Sequence, residues 1–324
     1  MLIKEAQRDA ADEFPNAESS VPAAITDAGC ERALNEDRYA VIDSHSGLAW
    51  LVCDGMGGED GGELAAQLAL DAIRRDLENL PQRPADEALR NAILEANRVI
   101  VLRRQNPAFA RMGTTVVAAL FAAPEVVLGH AGDSRAYLIR AAVIQQLTTD
   151  HTYVQALVDK GEIRQEDALS HPEAHILTRC IGSEPGLMVD LQRYWLWPTK
   201  TGEVQDYLLL CTDGLYSQVA DNEMAAIIAK ESPQKACVSL VELAKERGGF
   251  DNITLAIIPL SGQLRDEPPP NFDEKNHRRK ILSRVRHAHS SGAQRKLGRD
   301  LAIIGILGLL ASAVTVVIFL LMLR

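Results

Sequence analysis

Short apolar runs and amphipathic segments follow one another along residues 22–261. The apolar runs end at turn residues and are typical of strands, at 38–42, 48–53, 114–122, 126–129, 136–139, 143–147, 207–211 and 253–259. Apolar residues recur at helical spacing in 62–80, 85–104, 221–229 and 233–247. Because the strands succeed each other through tight turns and the helices are grouped, the pattern predicts an α+β fold built on antiparallel sheets.

The last part of the chain has a different pattern. Residues 301–323 form an apolar run of 23 residues without a charge. A helix of that length spans roughly 34 Å, more than the roughly 30 Å hydrocarbon core of a bilayer. Nine basic residues precede the run within thirty positions and only Arg324 follows it. The positive-inside rule then predicts a single-pass anchor in the cell membrane with the preceding domain in the cytoplasm. The alternative is a buried core helix, although soluble helices of this length seldom lack a charge.

Charge divides the chain in the same way. Residues 271–324 contain ten basic and three acidic residues, a net charge of +7, whereas the rest carries 24 basic and 41 acidic residues, a net of −17. An acidic globular part argues against nucleic acid as a partner and suits a metal-binding protein. Five cysteines without a Cys-x-x-Cys pair indicate a reducing compartment.

Two segments flank the predicted domain at 22–261. Residues 1–21 form an N-terminal extension without the apolar core of a signal peptide. Residues 262–300 include three consecutive prolines and nine of the ten basic residues of the stretch 271–324, and we interpret them as a flexible juxtamembrane linker. Its basic residues would either lie on anionic lipid or remain solvated.

Four aspartates each stand where an apolar strand meets a glycine or a turn. Asp54, Asp133 and Asp213 follow predicted strands, and Asp251 precedes one. One such aspartate usually only turns the chain, but four of them can converge at one rim of a sheet, and neighbouring glycines let backbone carbonyls approach an ion. Donor sets made only of oxygen favour Mg²⁺ or Mn²⁺ over zinc.

Eight short motifs occur in an order that points to a known family. They are residues 26–37 (TDAGCERALNED), 54–58 (DGMGG), 112–115 (MGTT), 129–137 (GHAGDSRAY), 147–152 (LTTDHT), 177–182 (LTRCIG), 211–215 (CTDGL) and 251–254 (DNIT). Each motif is weak alone. Together they make residues 22–260 resemble the metal-dependent (PPM-type, type 2C) protein serine/threonine phosphatases in their bacterial form.

The resemblance implies an α-β-β-α sandwich of two antiparallel sheets flanked by helices, with two Mn²⁺ or Mg²⁺ ions in a cleft at one edge. By matching position, Asp54 would bridge both ions and the carbonyl of Gly55 would bind one of them. Asp213 and Asp251 would hold the other ion. Asp133 matches the residue that helps to hold a third ion in bacterial members.

Three further matches concern the surroundings of the ions. Glu36 and Asp37 would lie beside or behind them and orient ligands and waters. Arg32 matches the phosphate-binding arginine, whose planar guanidinium suits a phosphoryl group. The proton donor for the leaving group stays open between a water molecule, His130 and His151.

Two departures from the family pattern bear on that donor. Met56 stands where eukaryotic members carry a histidine, and His175 stands where bacterial members commonly carry asparagine. Neither place therefore has the residue that the family pattern supplies there.

The implied activity is hydrolysis of phosphoserine and phosphothreonine in proteins by attack of a metal-activated water. None of the five cysteines lies in a Cys-x5-Arg context, so a cysteine nucleophile is not expected. The alternative is a catalytically weak regulator that binds phosphoproteins with the same fold. The expected partners are phosphoproteins from a cognate Ser/Thr kinase or its substrates, and the expected state is a monomer.

Overall fold

The apolar runs form two antiparallel sheets that lie face to face. The computed structural model describes residues 21–57, 61–199, 204, 206–270 and 272–281. In these ranges the five-stranded sheet has the order β1 (Ala23–Asp27), β12 (Ile253–Leu260), β11 (Asp206–Cys211), β8 (Arg135–Arg140), β9 (Val143–Gln146). The six-stranded sheet has the order β13 (Gly262–Arg265), β10 (Asp190–Pro198), β7 (Glu125–Ala131), β6 (Val116–Ala122), β3 (Gly47–Cys53), β2 (Arg38–Ser44). A short pair, β4 (Gly55–Met56) and β5 (Gly113–Thr114), lies beside them.

Helices cover the outer face of each sheet. Helices α1 (Gly61–Asn79) and α2 (Ala85–Arg103) share a buried core with the six-stranded sheet. Helices α5 (Asp221–Lys230) and α6 (Pro233–Glu246) do the same on the five-stranded sheet, together with the short α4 (Asp213–Tyr216). A third apolar core, which includes side chains from both sheets, fills the space between them. The predicted α-β-β-α sandwich is thus confirmed.

Three strands of the two large sheets escaped the sequence pattern, and all of them are partly polar. Strands β1 and β13 each lie at the edge of a sheet, and β10 lies next to β13. Most side chains of β10 are only half-buried, so apolar and polar residues do not alternate as they do on a strand with one buried face. Helix α3 (Tyr153–Asp159), the last α-helix before β10, was not predicted either.

Strand β13 corrects the predicted end of the domain at Ser261. It pairs with the last four residues of β10. The amide of Leu264 donates to the buried carboxylate of Asp206 at 2.6 Å, and its carbonyl accepts from Arg140 at 2.7 Å. The segment from 262 therefore begins as a sheet strand, because these bonds satisfy a buried charge, and the compact unit that contains it ends at Phe272.

The chain also contains residues outside this unit and residues that the structure does not describe. A second unit comprises residues 81–84 and the chain from Asp273, of which 274–281 are helical. The N-terminal residues 1–20 and the apolar run 301–323 lie outside the described residues. Among the helices that are described, none has both the length and the apolar character needed to cross a bilayer.

Candidate metal centre

Carboxylates from both sheets meet in one cleft of about 720 Å³. Asp54 follows β3 and Asp133 follows β7, both in the six-stranded sheet. Asp213 follows β11, and Asp251 precedes β12, in the five-stranded sheet. The rim predicted from the strand ends is therefore built from two sheets, and their edges bring all four aspartates to the same cleft.

The backbone around Asp54 is held by three hydrogen bonds. Its amide donates to the hydroxyl of Thr115 at 2.9 Å. Its carbonyl accepts from the amide of Thr115 and from the hydroxyl of Thr114, both at 2.8 Å. Gly55 is confined as well, because an added Cβ would lie 2.1 Å from the carbonyl oxygen of Gly62. The segment that would offer a carboxylate and a carbonyl to an ion is thus fixed before any ion binds.

Glu36 and Asp37 lie at different depths. Glu36 lines the cleft, its amide donates to Asn252 at 2.7 Å, and its carboxylate accepts from the amide of Gly62 at 3.1 Å. Asp37 is only 1% exposed and lies behind the cleft wall, where it accepts a hydrogen bond from the hydroxyl of Thr212 at 2.8 Å. The positions of both residues relative to bound ions, and their roles, remain predictions.

Two buried carboxylate oxygens, one in the cleft and one behind its wall, lack a hydrogen-bond donor. Within the described part of the chain, Oδ1 of Asp37 and Oδ1 of Asp213 are buried and have no partner. Burial and the charge of Asp251 raise the pKa of Asp213 to about 6. Burial, followed by the charges of Asp37 and Asp213, raises the pKa of Asp54 well above its usual range. Crowded, under-solvated carboxylates of this kind fit a hard divalent cation, which would supply the missing positive charge.

Arg32 brings a positive charge to the rim of the same cleft. Its Nη2 lies 2.8 Å from Oδ2 of Asp251, and both side chains are partly exposed to solvent. The guanidinium can thus reach a ligand in the cleft without leaving this carboxylate. A cation at the mouth of an acidic site suits a substrate that carries a phosphoryl group.

A second cluster could also hold a metal by its donor types. Ligand atoms of His130, His151 and Asp190 lie within 4.8 Å of one another. However, Nη1 of Arg179 lies 3.0 Å from Nε2 of His151 and also forms an ion pair with Asp190. The guanidinium already neutralises the carboxylate, so a metal ion here would be repelled.

Neither of these two histidines reaches the cleft. The rings of His130 and His151 stack with centroids 4.5 Å apart, and both side chains are almost fully buried. Nε2 of His130 is bonded to the carbonyl of Thr149, and Nδ1 of His151 accepts from the amide of Gly132. Burial lowers the pKa of His151 to about 4, so this imidazole is neutral near pH 7. Both histidines have structural roles, and neither is placed to protonate a leaving group in the cleft.

The residue that follows Asp251 has a structural role that the motif at 251–254 did not reveal. Asn252 donates to the carbonyls of Ala28 and Leu34, both at 3.0 Å, and so connects the loop before β12 to the loop that carries Arg32. Its only sequence signal was its place in the motif at 251–254, directly after Asp251. Residues 58–60, which include the end of the second motif, lie outside the described residues.

The protein phosphatase 2C family profile matches residues 30–237. The chain belongs to this family. It is 37% identical over 240 residues to the serine/threonine phosphatase stp of Listeria monocytogenes. The matched region covers 72% of the chain and 93% of that relative. It is 35% identical over 240 residues to the serine/threonine protein phosphatase PstP of Mycobacterium tuberculosis, covering 72% of the chain and 44% of PstP.

Solved structures of the family agree with the fold. The crystal structure of the Mycobacterium tuberculosis phosphatase PstP superimposes with a TM-score of 0.66 at 34% identity, covering 74% of the chain and 98% of that structure. The PstP catalytic domain in complex with two manganese ions gives a TM-score of 0.62 at 32% identity, covering 73% and 96%. The chain is therefore a metal-dependent protein serine/threonine phosphatase, and the family resemblance read from the motifs is confirmed.

Proposed function

We propose that the cleft hydrolyses phosphoserine and phosphothreonine in proteins at a binuclear Mn²⁺ or Mg²⁺ centre. Asp54, the carbonyl of Gly55, Asp213 and Asp251 would hold the two ions. The observation that carries this assignment is the convergence of carboxylates from both sheets around a buried oxygen of Asp213 that has no donor among the described residues. The complex of the PstP catalytic domain with two manganese ions supports the proposed number of ions.

The residues of the chain would prepare the site in distinct ways. Two divalent ions, when bound, neutralise the charge of a phosphate monoester and lower the pKa of water. The threonine bonds to Asp54 fix the backbone that carries its carboxylate, so this part of the chain needs little rearrangement. Arg32 would donate to the phosphoryl oxygens from the rim and align the phosphorus for in-line attack by water.

Asp133 is proposed to contribute to a third, weaker ion site. It lines the same cleft, and its backbone carbonyl accepts from the hydroxyl of Tyr216 at 3.0 Å. Burial and the charge of Asp213 raise the pKa of its carboxyl well above the usual range. A site with one protein carboxylate and several waters binds Mg²⁺ or Mn²⁺ loosely.

The proposed activity is tested by phosphate release from a phosphothreonine peptide. Wild-type protein should release phosphate when Mn²⁺ or Mg²⁺ is added, and a chelator should stop the reaction. The catalytically weak regulator predicts a different result, namely binding of the phosphopeptide with no metal-dependent turnover.

The anchor and the partners are also proposals. The length and charge flanks of residues 301–323 support a single membrane span with the phosphatase domain in the cytoplasm. Substrates of a cognate Ser/Thr kinase, or the kinase itself, would then be reached by a monomer tethered at the membrane. Cell fractionation tests this proposal: the full chain should enter the membrane fraction, and a chain ending at Phe272, which retains β13, should not.

A further inference from the structure

Hydrolysis of a phosphorylated serine or threonine requires a proton for the departing oxygen, and the proposed metal ligands do not supply it. The departing oxygen belongs to an alkyl alcohol and is a poor leaving group unless it receives a proton. His130 and His151 are buried and bonded elsewhere. The proton must therefore come either from a water molecule or from another group that lines the cleft.

Among the histidines that the structure describes, His175 is the one on the cleft wall. It shares that wall with Arg32 and with the aspartates of the metal centre. Its side chain is exposed, and within the described residues it makes no hydrogen bond or ion pair. The imidazole is thus free to bond to a ligand, unlike the two buried histidines.

The backbone around His175 is held on both sides. The turn that carries it closes through a hydrogen bond from the amide of Ile176 to the carbonyl of Glu173 at 3.1 Å. The carbonyl of Ile176 accepts from the amide of Tyr153 at 2.8 Å, and Leu177 forms a β-bridge with Thr152. A free side chain on a fixed backbone is the arrangement expected of a group that must meet a substrate at one place.

The geometry points to His175 as the general acid of the reaction, a role that rests on the proposed function of the cleft. In the step, a water oxygen forms a bond to phosphorus and the bond from phosphorus to the seryl or threonyl oxygen breaks. A protonated imidazole of His175 gives its proton to that oxygen, which leaves as an alcohol. The water proton is released to solvent, and the exposed imidazole regains a proton from solvent.

The test compares two substrates that differ in their need for an acid. A phosphothreonine peptide has an alkyl leaving group, whereas p-nitrophenyl phosphate has a leaving group that departs without a proton. In His175→Gln, kcat/KM for the peptide should fall by about 10²- to 10³-fold, and kcat/KM for p-nitrophenyl phosphate should change by no more than about threefold. The matched control is His45→Gln, an exposed histidine in the turn between β2 and β3, which should leave both substrates unaffected.

Two results would overturn the assignment. An equal loss on both substrates would make His175 a binding or structural residue, and unchanged rates on both would remove it from the reaction. Failure of the proposed function looks different, because wild-type protein would then hydrolyse neither substrate when metal is added.

Discussion

Two polar clusters of the domain differ in how their buried charges are neutralised. In one cluster, Arg135 and Asp150 are 8% and 9% exposed and form three contacts of 2.6 to 3.0 Å. Arg135 also donates to the hydroxyl of Tyr137 at 2.9 Å and lies over the ring of Tyr216, 3.7 Å from its centroid. Every charge in this cluster has its counterpart within the chain.

The carboxylates of the cleft have no such counterpart. Arg32 pairs with Asp251 at the rim, but within the described residues the inner oxygen of Asp213 has no donor. The comparison shows how a functional charge can be told from a structural one within a single domain. A structural pair is neutralised by its own neighbours, whereas a metal centre is completed only by ions from outside.

The largest expected effect is on the metal centre. Asp213→Asn keeps the size of the side chain but removes the charge that would face the ions. Turnover of a phosphothreonine peptide should fall by about a thousandfold or more. The melting temperature without metal should stay the same or rise, because one source of repulsion is gone. Full turnover at saturating manganese would show that Asp213 is not a ligand.

The opposite outcome, a change in stability, is expected in the cluster of Arg135 and Asp150. Arg135→Met leaves Asp150 buried without its partner, and the free energy of unfolding should fall by about 3–5 kcal/mol. Denaturant unfolding measures this change. The double variant Arg135→Met/Asp150→Leu should regain much of the loss, since no uncompensated charge remains. A single variant as stable as wild type would mean that the pair contributes nothing to the fold.

The effect of replacing Arg32 should be intermediate, because Arg32 touches the cleft without belonging to the proposed metal ligands. Arg32→Ala should lower kcat/KM by about one to two orders of magnitude, as expected for losing a charge-assisted contact of about 1.5–3 kcal/mol. Manganese affinity, measured by calorimetry, should change little. A parallel collapse of manganese binding would assign Arg32 to the support of Asp251 instead.

The smallest effect is expected at Asp133. Asp133→Ala should leave the two tightly held ions in place and the melting temperature nearly unchanged, because the backbone bond from Tyr216 does not need the side chain. Turnover should fall, and more metal should be needed to restore it. Loss of all bound metal would move Asp133 into the primary site, and a normal metal response would rule out the third ion.

Part of the difference between the cleft and the Arg135–Asp150 pair could be predicted from the sequence, and part could not. The strand ends beside Asp54, Asp133, Asp213 and Asp251 were predicted because apolar runs stop before the first three aspartates and one begins after the fourth. The partner of Arg135 could not be predicted, since Asp150 reaches it only through the pairing of β8 with β9. The aspartates converge because two sheets pack face to face, a long-range contact that no local pattern encodes.

The edge strands and the histidines show the same limit. Strand β13 lies in a stretch that composition marks as linker, and it becomes a strand because Leu264 satisfies buried Asp206. His130, His151 and His175 look alike in sequence. Only the fold separates two buried imidazoles from one that faces the cleft.

The most direct test is the location of manganese in a crystal of the protein, by anomalous diffraction. The proposed binuclear centre predicts two strong peaks in the cleft, bounded by the carboxylates of Asp54, Asp213 and Asp251. Manganese between His130, His151 and Asp190, with none at the aspartates, would contradict it. A cleft without manganese in a crystal grown at saturating metal would contradict it as well.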